Sequence, residues 1–209
     1  MPMIQNLAID QKPARRMAAP GSQTWHAMLD AAEAVLREEG HAALTSRSIA
    51  DRIGAKQRLV YYYFLTMDEL ITAMFQRLST RELARLEQAA QSSAPLREIW
   101  DMCIHTTDAR LISEFTALAH RIEDLRQEVT HFIEESRRIQ IEMLEAALRA
   151  HPAASPLPPA ALAILATSLA LTLTREQQLG VSSGHPEAMA AISAFLALAE
   201  PDASQGTEQ

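Results

Sequence analysis

The chain has 209 residues, 48% of them hydrophobic and 22% charged, with a formal net charge of −7. That length buries a real core in one compact domain or two small ones, and the composition excludes a globally disordered chain. The negative balance argues against indiscriminate binding of polyanions, while a single cysteine, Cys103, excludes an intramolecular disulfide framework and fits a reducing cytoplasm.

The six glycines and ten prolines fall in the tails or at the edges of long breaker-free windows, and no window shows sustained period-2 alternation. Both features predict an all-α chain of about nine helices. Residues 1–21 read as a flexible N-terminal arm, whose Lys12, Arg15 and Arg16 either reach a minor groove or do nothing. No basic stretch followed by an apolar run opens the sequence, so no secretory signal is expected. The uncharged run Leu157–Thr174 leaves only about 15 residues after Pro159, roughly 22 Å of helix against a ~30 Å hydrocarbon core, and reads as a buried helix rather than a membrane span.

The first helix is expected from Ser22 or Thr24 to Glu39, with Trp25, Met28, Leu29, Ala32, Val35 and Leu36 on one face, and Gly40 ending it. The stretch Leu44–Phe64, LTSRSIADRIGAKQRLVYYYF, follows. Thr45 suits a helix N-cap, a short helix runs from about Ser46 to Ile53, Gly54 marks a turn, and a second short helix runs from about Lys56 to Tyr63. Two short helices about a tight Gly-containing turn are a helix-turn-helix, whose second helix enters the major groove of DNA. Residues 1–70 balance 8 Lys/Arg against 8 Asp/Glu, so the whole −7 lies beyond them. Within Leu44–Phe64 four basic residues (Arg47, Arg52, Lys56, Arg58) face one acid, Asp51. This is the basic concentration that a phosphate-contacting surface requires.

Thr66-Met67-Asp68-Glu69 matches a capping box, starting a fourth helix that runs to about Gln88. Beyond it the chain turns acidic. A fifth helix starts at Pro95, with Leu96, Ile99, Trp100, Cys103 and Ile104 on its apolar face. A sixth carries Leu111, Phe115 and Leu118, and a seventh spans about Glu123–Ala150. The eighth (about Pro159–Leu179) and ninth (about Pro186–Ala199) follow, and residues 201–209 read as a tail.

The segments MLDAAEAVLREEG, LTSRSIADRIGAKQRLVYYYF and DEL together resemble the N-terminal domain of the TetR family of bacterial transcriptional regulators, over residues ~24–80. The resemblance implies a DNA-reading head, an all-α C-terminal ligand domain, a homodimer, and a ligand that weakens operator binding. On this basis residues 22–82 are the DNA-binding domain, with its helix-turn-helix at about 45–64, and residues 83–200 are the ligand-binding and dimerisation domain. The chain departs from the family where Lys56, Gln57 and Arg58 replace the usual small residue, Lys and Gly. Met67 stands near a common phosphate-contacting Lys, and Tyr63 stands where His is common.

Arg58 is suited to guanine and Gln57 to adenine, the bidentate pairings of the major groove. Arg47 is assigned to DNA from the second helix. The Thr45 hydroxyl serves as an N-cap, as a phosphate contact, or as both. Tyr61 and Tyr62 divide between core and phosphate contact, with Tyr63 as a further candidate. Candidate pocket residues are Trp100, Cys103, Phe115, Phe132, Ile139, Met143, Leu169 and Thr172, inward positions with bulky, soft or hydroxyl side chains. Candidate dimer contacts on the last two helices are Leu165, Leu169, Met189, Ile192, Phe195 and Leu196, pairing as a four-helix bundle.

The function expected is that of a cytoplasmic repressor released from a palindromic operator by a small, largely apolar ligand, without catalysis, cofactor, metal or membrane partner. The alternatives are a ligand-independent DNA-organising protein and an all-α metal enzyme using His105, His120, Glu128 and His131. Glu128 and His131 have the Glu-x-x-His spacing of carboxylate-bridged di-iron bundles, but one such motif supplies only part of that site.

Overall fold

The computed structural model describes residues 20–106 and 109–201, excepting the side chains of 106, 109 and 110. The predicted N-terminal arm, with Lys12, Arg15 and Arg16, and most of the predicted tail lie outside the described residues. Among the described residues every regular element is helical: α1 Gln23–Glu39, α2 Ser46–Arg52, α3 Gln57–Tyr63, α4 Met67–Ala90, α5 Pro95–Asp101, α6 Ala109–Ala119, α7 Glu123–Ala150, α8 Pro159–Gln178 and α9 His185–Ala199. The all-α class is as the sequence predicts. The chain divides into two compact units, Met1–Leu70 and Ile71–Gln209.

In the first unit, Ser22 accepts a hydrogen bond from the Trp25 amide at 3.2 Å and starts α1. Met28, Leu29, Ala32, Val35 and Leu36 are fully buried along its inner face, the stripe that period 3.6 requires. Gly40, at φ 84°, ends the helix with its N–H on the Leu36 carbonyl; only glycine adopts such a φ without strain. The indole of Trp25 stacks on Phe64, ring centres 6.0 Å apart, which ties the end of α3 to the start of α1. Ile49, Ala50 and Val60 complete the core of this unit.

At the start of α4 the Thr66 hydroxyl accepts from the Glu69 amide at 3.0 Å, as a capping box requires. The return bond differs from the expected one: the Glu69 carboxylate accepts from the Leu65 amide at 2.8 Å, one residue further back.

The second unit holds a core of Leu86, Ala89, Leu96, Ile99, Ile139, Met143, Leu144, Ala163, Leu196 and Ala199, contributed by α4, α5, α7, α8 and α9. A separate aromatic cluster joins α4, α6 and α7, in which Phe75 meets Phe115 at 5.0 Å and Phe132 at 6.0 Å, both edge to face. Two features here escape the sequence pattern. The fifth helix does not continue as an α-helix through Ile104, because Met102–Thr106 winds as a single π-turn. And α5, whose N-cap Ala94 has no side chain to offer, is capped from the far end of the unit. The Glu200 carboxylate accepts from the Leu96 and Arg97 amides at 3.0 and 3.1 Å, while Arg97 Nη2 donates back to the Glu200 carbonyl at 3.1 Å.

Candidate nucleic-acid interface

The geometry of α2 and α3 follows from their caps. The Thr45 hydroxyl accepts from the Ser48 amide at 3.1 Å and Ser48 Oγ accepts from the Thr45 amide at 3.1 Å, a reciprocal box over the first turn of α2. Gly54 makes the turn at φ 65°, with the Ala55 amide bonded to the Ala50 carbonyl at 2.9 Å. The N-cap of α3, Lys56, makes no side-chain cap.

The side chains predicted to meet DNA lie largely outside the core. Lys56, Gln57, Arg58, Tyr61, Tyr62, Arg47 and Thr45 are exposed, and Tyr63 is half-buried. Arg47 carries only a long 3.8 Å ion pair to Asp51, with the Arg side chain 83% accessible. Lys56 and Arg58 project from the start of α3 with no ion-pair partner among the described residues. Tyr62 and Tyr63 pack edge to face at 5.5 Å.

Two residues in this stretch are held by bonds within the unit. Arg52 folds back on the end of α1, where its Nη2 meets the Glu39 carboxylate at 3.0 Å and also that of Glu38. The hydrogen bond and charge of Arg52 hold the Glu38 carboxyl below its ordinary pKa. Arg52 is therefore a strut between α1 and α2, and the cations directed outward from α2 and α3 are Arg47, Lys56 and Arg58. Gln57 is the second: its amide Nε2 donates to Ser46 Oγ at 2.7 Å, and Ser46 Oγ lies 3.1 Å from the Tyr61 hydroxyl. Ser46, only 4% exposed, was not singled out from the sequence. An isolated serine in the first turn of a helix carries no signal of a partner eleven residues away.

In the second unit three of the eight predicted pocket residues, Trp100, Cys103 and Met143, line one apolar cavity of ≈ 60 Å³ between α5, α7, α8 and α9. Ile192, Phe195 and Leu196 close it, and its polar corner is Thr167, whose hydroxyl donates to the Ala163 carbonyl at 2.8 Å and lies 3.2 Å from Gln140 Oε1. Burial pushes the Cys103 thiol up to about 11, so the sulfur is protonated at neutral pH and poorly nucleophilic. Phe115 and Phe132 belong instead to the aromatic cluster, Ile139 is buried in the core, and Leu169 and Thr172 are half-buried on α8 away from that wall. A wider groove of ≈ 440 Å³ runs beside the 180–184 loop, lined by Ile104, Leu173, Val181, His185 and Met189 among others, and His185 Nε2 meets the Glu176 carboxylate there at 2.9 Å.

Of the predicted dimer contacts, Leu165 is 55% exposed. Leu169, Met189, Ile192 and Phe195 are half-buried, and Leu196 is buried in the unit's own core. The apolar side chains that α8 and α9 leave uncovered are Ile164, Leu165 and Leu198. No group of three His, Cys, Asp or Glu side chains able to hold a metal occurs among the described residues. Glu128 accepts from Gln76 Nε2 at 2.8 Å, and His131 is exposed. Among the described residues no helix is long and apolar enough to cross a membrane.

This arrangement, a capped α2, a tight Gly turn and an α3 presenting cations and phenols, is the reading head of a helix-turn-helix DNA-binding regulator. Residues 28–74 match the model of the bacterial regulatory proteins of the tetR family. Solved structures share the fold across most of the chain. A TetR/AcrR-family transcriptional regulator aligns at TM-score 0.70 and 13% identity, covering 82% of this chain and 97% of its own. Escherichia coli NemR in its reduced form aligns at TM-score 0.69 and 17% identity, covering 84% and 98%. A tetR-family regulatory protein from Rhodococcus RHA1 aligns at TM-score 0.65 and 21% identity, covering 86% and 97%. No curated protein matches the sequence. Residues 28–74 are thus similar to the DNA-binding domain of tetR-family regulators, and the helix-turn-helix of α2 and α3 lies within them.

Proposed function

We propose that this regulator is a non-enzymatic repressor acting in the cytoplasm. As a homodimer it holds a palindromic operator, and it leaves that operator when a small, uncharged, largely apolar ligand occupies its second unit. The observation that carries the reading is the surface of α3, where Lys56 and Arg58, without an ion-pair partner among the described residues, stand beside exposed Tyr61 and Tyr62. Guanidinium and ammonium groups meet phosphate and guanine, and phenols donate to phosphate oxygens. Two such helices in a dimer fit half-sites about 34–36 Å apart, one turn of DNA, or a small multiple of it.

The ligand class follows from the cavity at Trp100, Cys103 and Met143, which has no charged side chain in its wall; an ionic ligand there would lose its hydration without a counter-charge. Dimerisation is supported by Ile164, Leu165 and Leu198, exposed on α8 and α9, of which Leu165 is also among the contacts expected from the sequence. A ligand displaces the operator only to the extent that it binds the DNA-free conformation more tightly.

Selection from random duplexes followed by titration at increasing salt tests the DNA reading. The expected outcome is one short palindrome, bound by two chains, whose preference over random DNA persists as salt rises. Arg58→Ala is expected to relax base preference by about 1–3 kcal/mol at one position per half-site. Tyr62→Phe is expected to weaken binding to every duplex alike. Equal binding of all duplexes by the native protein would sink the reading.

A further inference from the structure

The hydrogen-bonded chain Gln57–Ser46–Tyr61 has a direction. Gln57 is the first residue of α3 and Tyr61 lies four residues on, so both project from one face of that helix. Between them sits Ser46, the first residue of α2, only 4% exposed. The Gln57 amide nitrogen donates to Ser46 Oγ at 2.7 Å, and Ser46, with one proton to give, donates to the Tyr61 hydroxyl at 3.1 Å. The Tyr61 oxygen thus accepts a hydrogen bond from behind, leaving its own O–H to donate outward, from a residue that is 48% exposed. Successive donors in such a chain polarise one another. At the other end, Gln57 keeps its carbonyl oxygen and its second amide hydrogen, the two groups that meet the N6 and N7 edge of adenine.

We propose that Ser46 is the positioning residue of the DNA interface, one buried hydroxyl that holds a base-reading amide and a phosphate-gripping phenol in a fixed relation. This rests on the DNA-binding reading above. Besides presenting Arg47, the second helix then sets what α3 reads. The arrangement matches a need of this particular sequence. The α3 N-cap, Lys56, makes no side-chain cap, so the first turn of α3 is held across the motif by Ser46 rather than by its own neighbour. A long glutamine left free at that position would sample many rotamers and discriminate poorly between bases; held at one end, it offers a single geometry.

The test is Ser46→Ala in the full-length protein, beside Gln57→Ala, Tyr61→Phe, the paired variants and Ser46→Thr. Each is read three ways: affinity for the selected palindrome, affinity for random duplex, and thermal midpoint. Ser46→Ala is expected to lower the ratio of specific to random binding by about tenfold, the scale of one base-reading contact. The relaxed positions should be those relaxed by Gln57→Ala. Ser46→Ala/Gln57→Ala should lose no more discrimination than Gln57→Ala alone, because residues in one network do not add. Ser46→Thr, which keeps the hydroxyl, should restore the ratio. A residue that merely holds the fold would instead lower the thermal midpoint and weaken both duplexes in proportion. The proposal is overturned by an unchanged base preference in Ser46→Ala, by additive losses with Gln57→Ala, or by proportional loss on both duplexes. If the native protein itself prefers no sequence, the DNA reading fails instead; if it does and Ser46→Ala matches it, only the role of Ser46 fails.

Discussion

The two units bury their apolar side chains differently. In the first, Met28, Leu29, Ala32, Val35, Leu36 and Ile49 have no accessible surface at all, and its exposed apolar residues are mainly tyrosines that keep a polar end in water. In the second, most core members retain a few per cent of exposure, a cavity is left among them, and Ile164, Leu165, Leu179, Val181 and Leu198 stand open. A unit that presents fixed side chains to DNA needs a closed core, since any slack in α3 becomes slack in the contacts. On the function proposed above, the second unit admits a ligand and meets a second copy of itself, for which apolar surface left unsatisfied is required. The same contrast appears in the charges. The first unit directs Arg47, Lys56 and Arg58 outward, whereas α7 of the second pairs Arg126 with Glu123 and Arg138 with both Glu135 and Glu142 along its own surface.

The sharpest way to break that comparison is to truncate one leucine from each kind of site. Leu29→Ala is expected to cost about 2–5 kcal/mol of stability, and Leu198→Ala less than about 0.5 kcal/mol in the isolated chain, both read by urea denaturation. Similar losses would mean that the second unit is as tightly closed as the first. Next comes the open surface itself. Leu165→Glu combined with Leu198→Glu is expected to convert a dimer to a monomer in sedimentation while leaving helical content unchanged. A variant that stays dimeric removes α8 and α9 from the interface.

Capping makes a finer contrast, local in one unit and distant in the other. Thr45→Ala should cost about 1 kcal/mol, the ordinary worth of an N-cap. Glu200→Ala should cost at least as much, because it strips two α5 amides of their carboxylate partner at once. Equal tolerance of both changes would show α5 to be held by packing alone.

The smallest expected effect concerns Cys103. With the folded thiol raised to about 11, the unfolded chain loses its proton first as pH climbs. The stabilisation is complete below the ordinary thiol range and fades as pH rises through about 11. Alkylation at neutral pH should accordingly be slow in the folded protein and fast once it is denatured, and Cys103→Ala should abolish that part of the alkaline slope. Rapid labelling of native protein near pH 7 would contradict a thiol seated in the cavity wall.

The elements that the sequence reveals are those whose causes lie within a turn or two of each other. The stripe of α1, the Gly40 and Gly54 stops, the Thr45 and Thr66 caps and the Pro-bounded starts of α5 and α8 all depend on neighbours in the chain, and periodicity together with residue chemistry exposes them. The family pattern in Leu44–Phe64 is of the same kind, since its members sit at fixed spacing on two adjacent helices.

Whatever depends on a partner distant in sequence was settled only by the folded chain. Gln57 finds Ser46 across 11 residues and Leu96 finds Glu200 across 104, and no local pattern marks either serine or glutamate for the task. Arg52 counts as a free cation in any charge tally until α1 brings Glu38 and Glu39 beside it. Likewise a helix such as α9 shows by its composition that it is apolar on more than one side, but which side its own core covers, here that of Ile192, Phe195 and Leu196, is decided by packing. Helical order is a short-range property; the choice of which buried hydroxyl, charge or leucine face meets which partner is a long-range one.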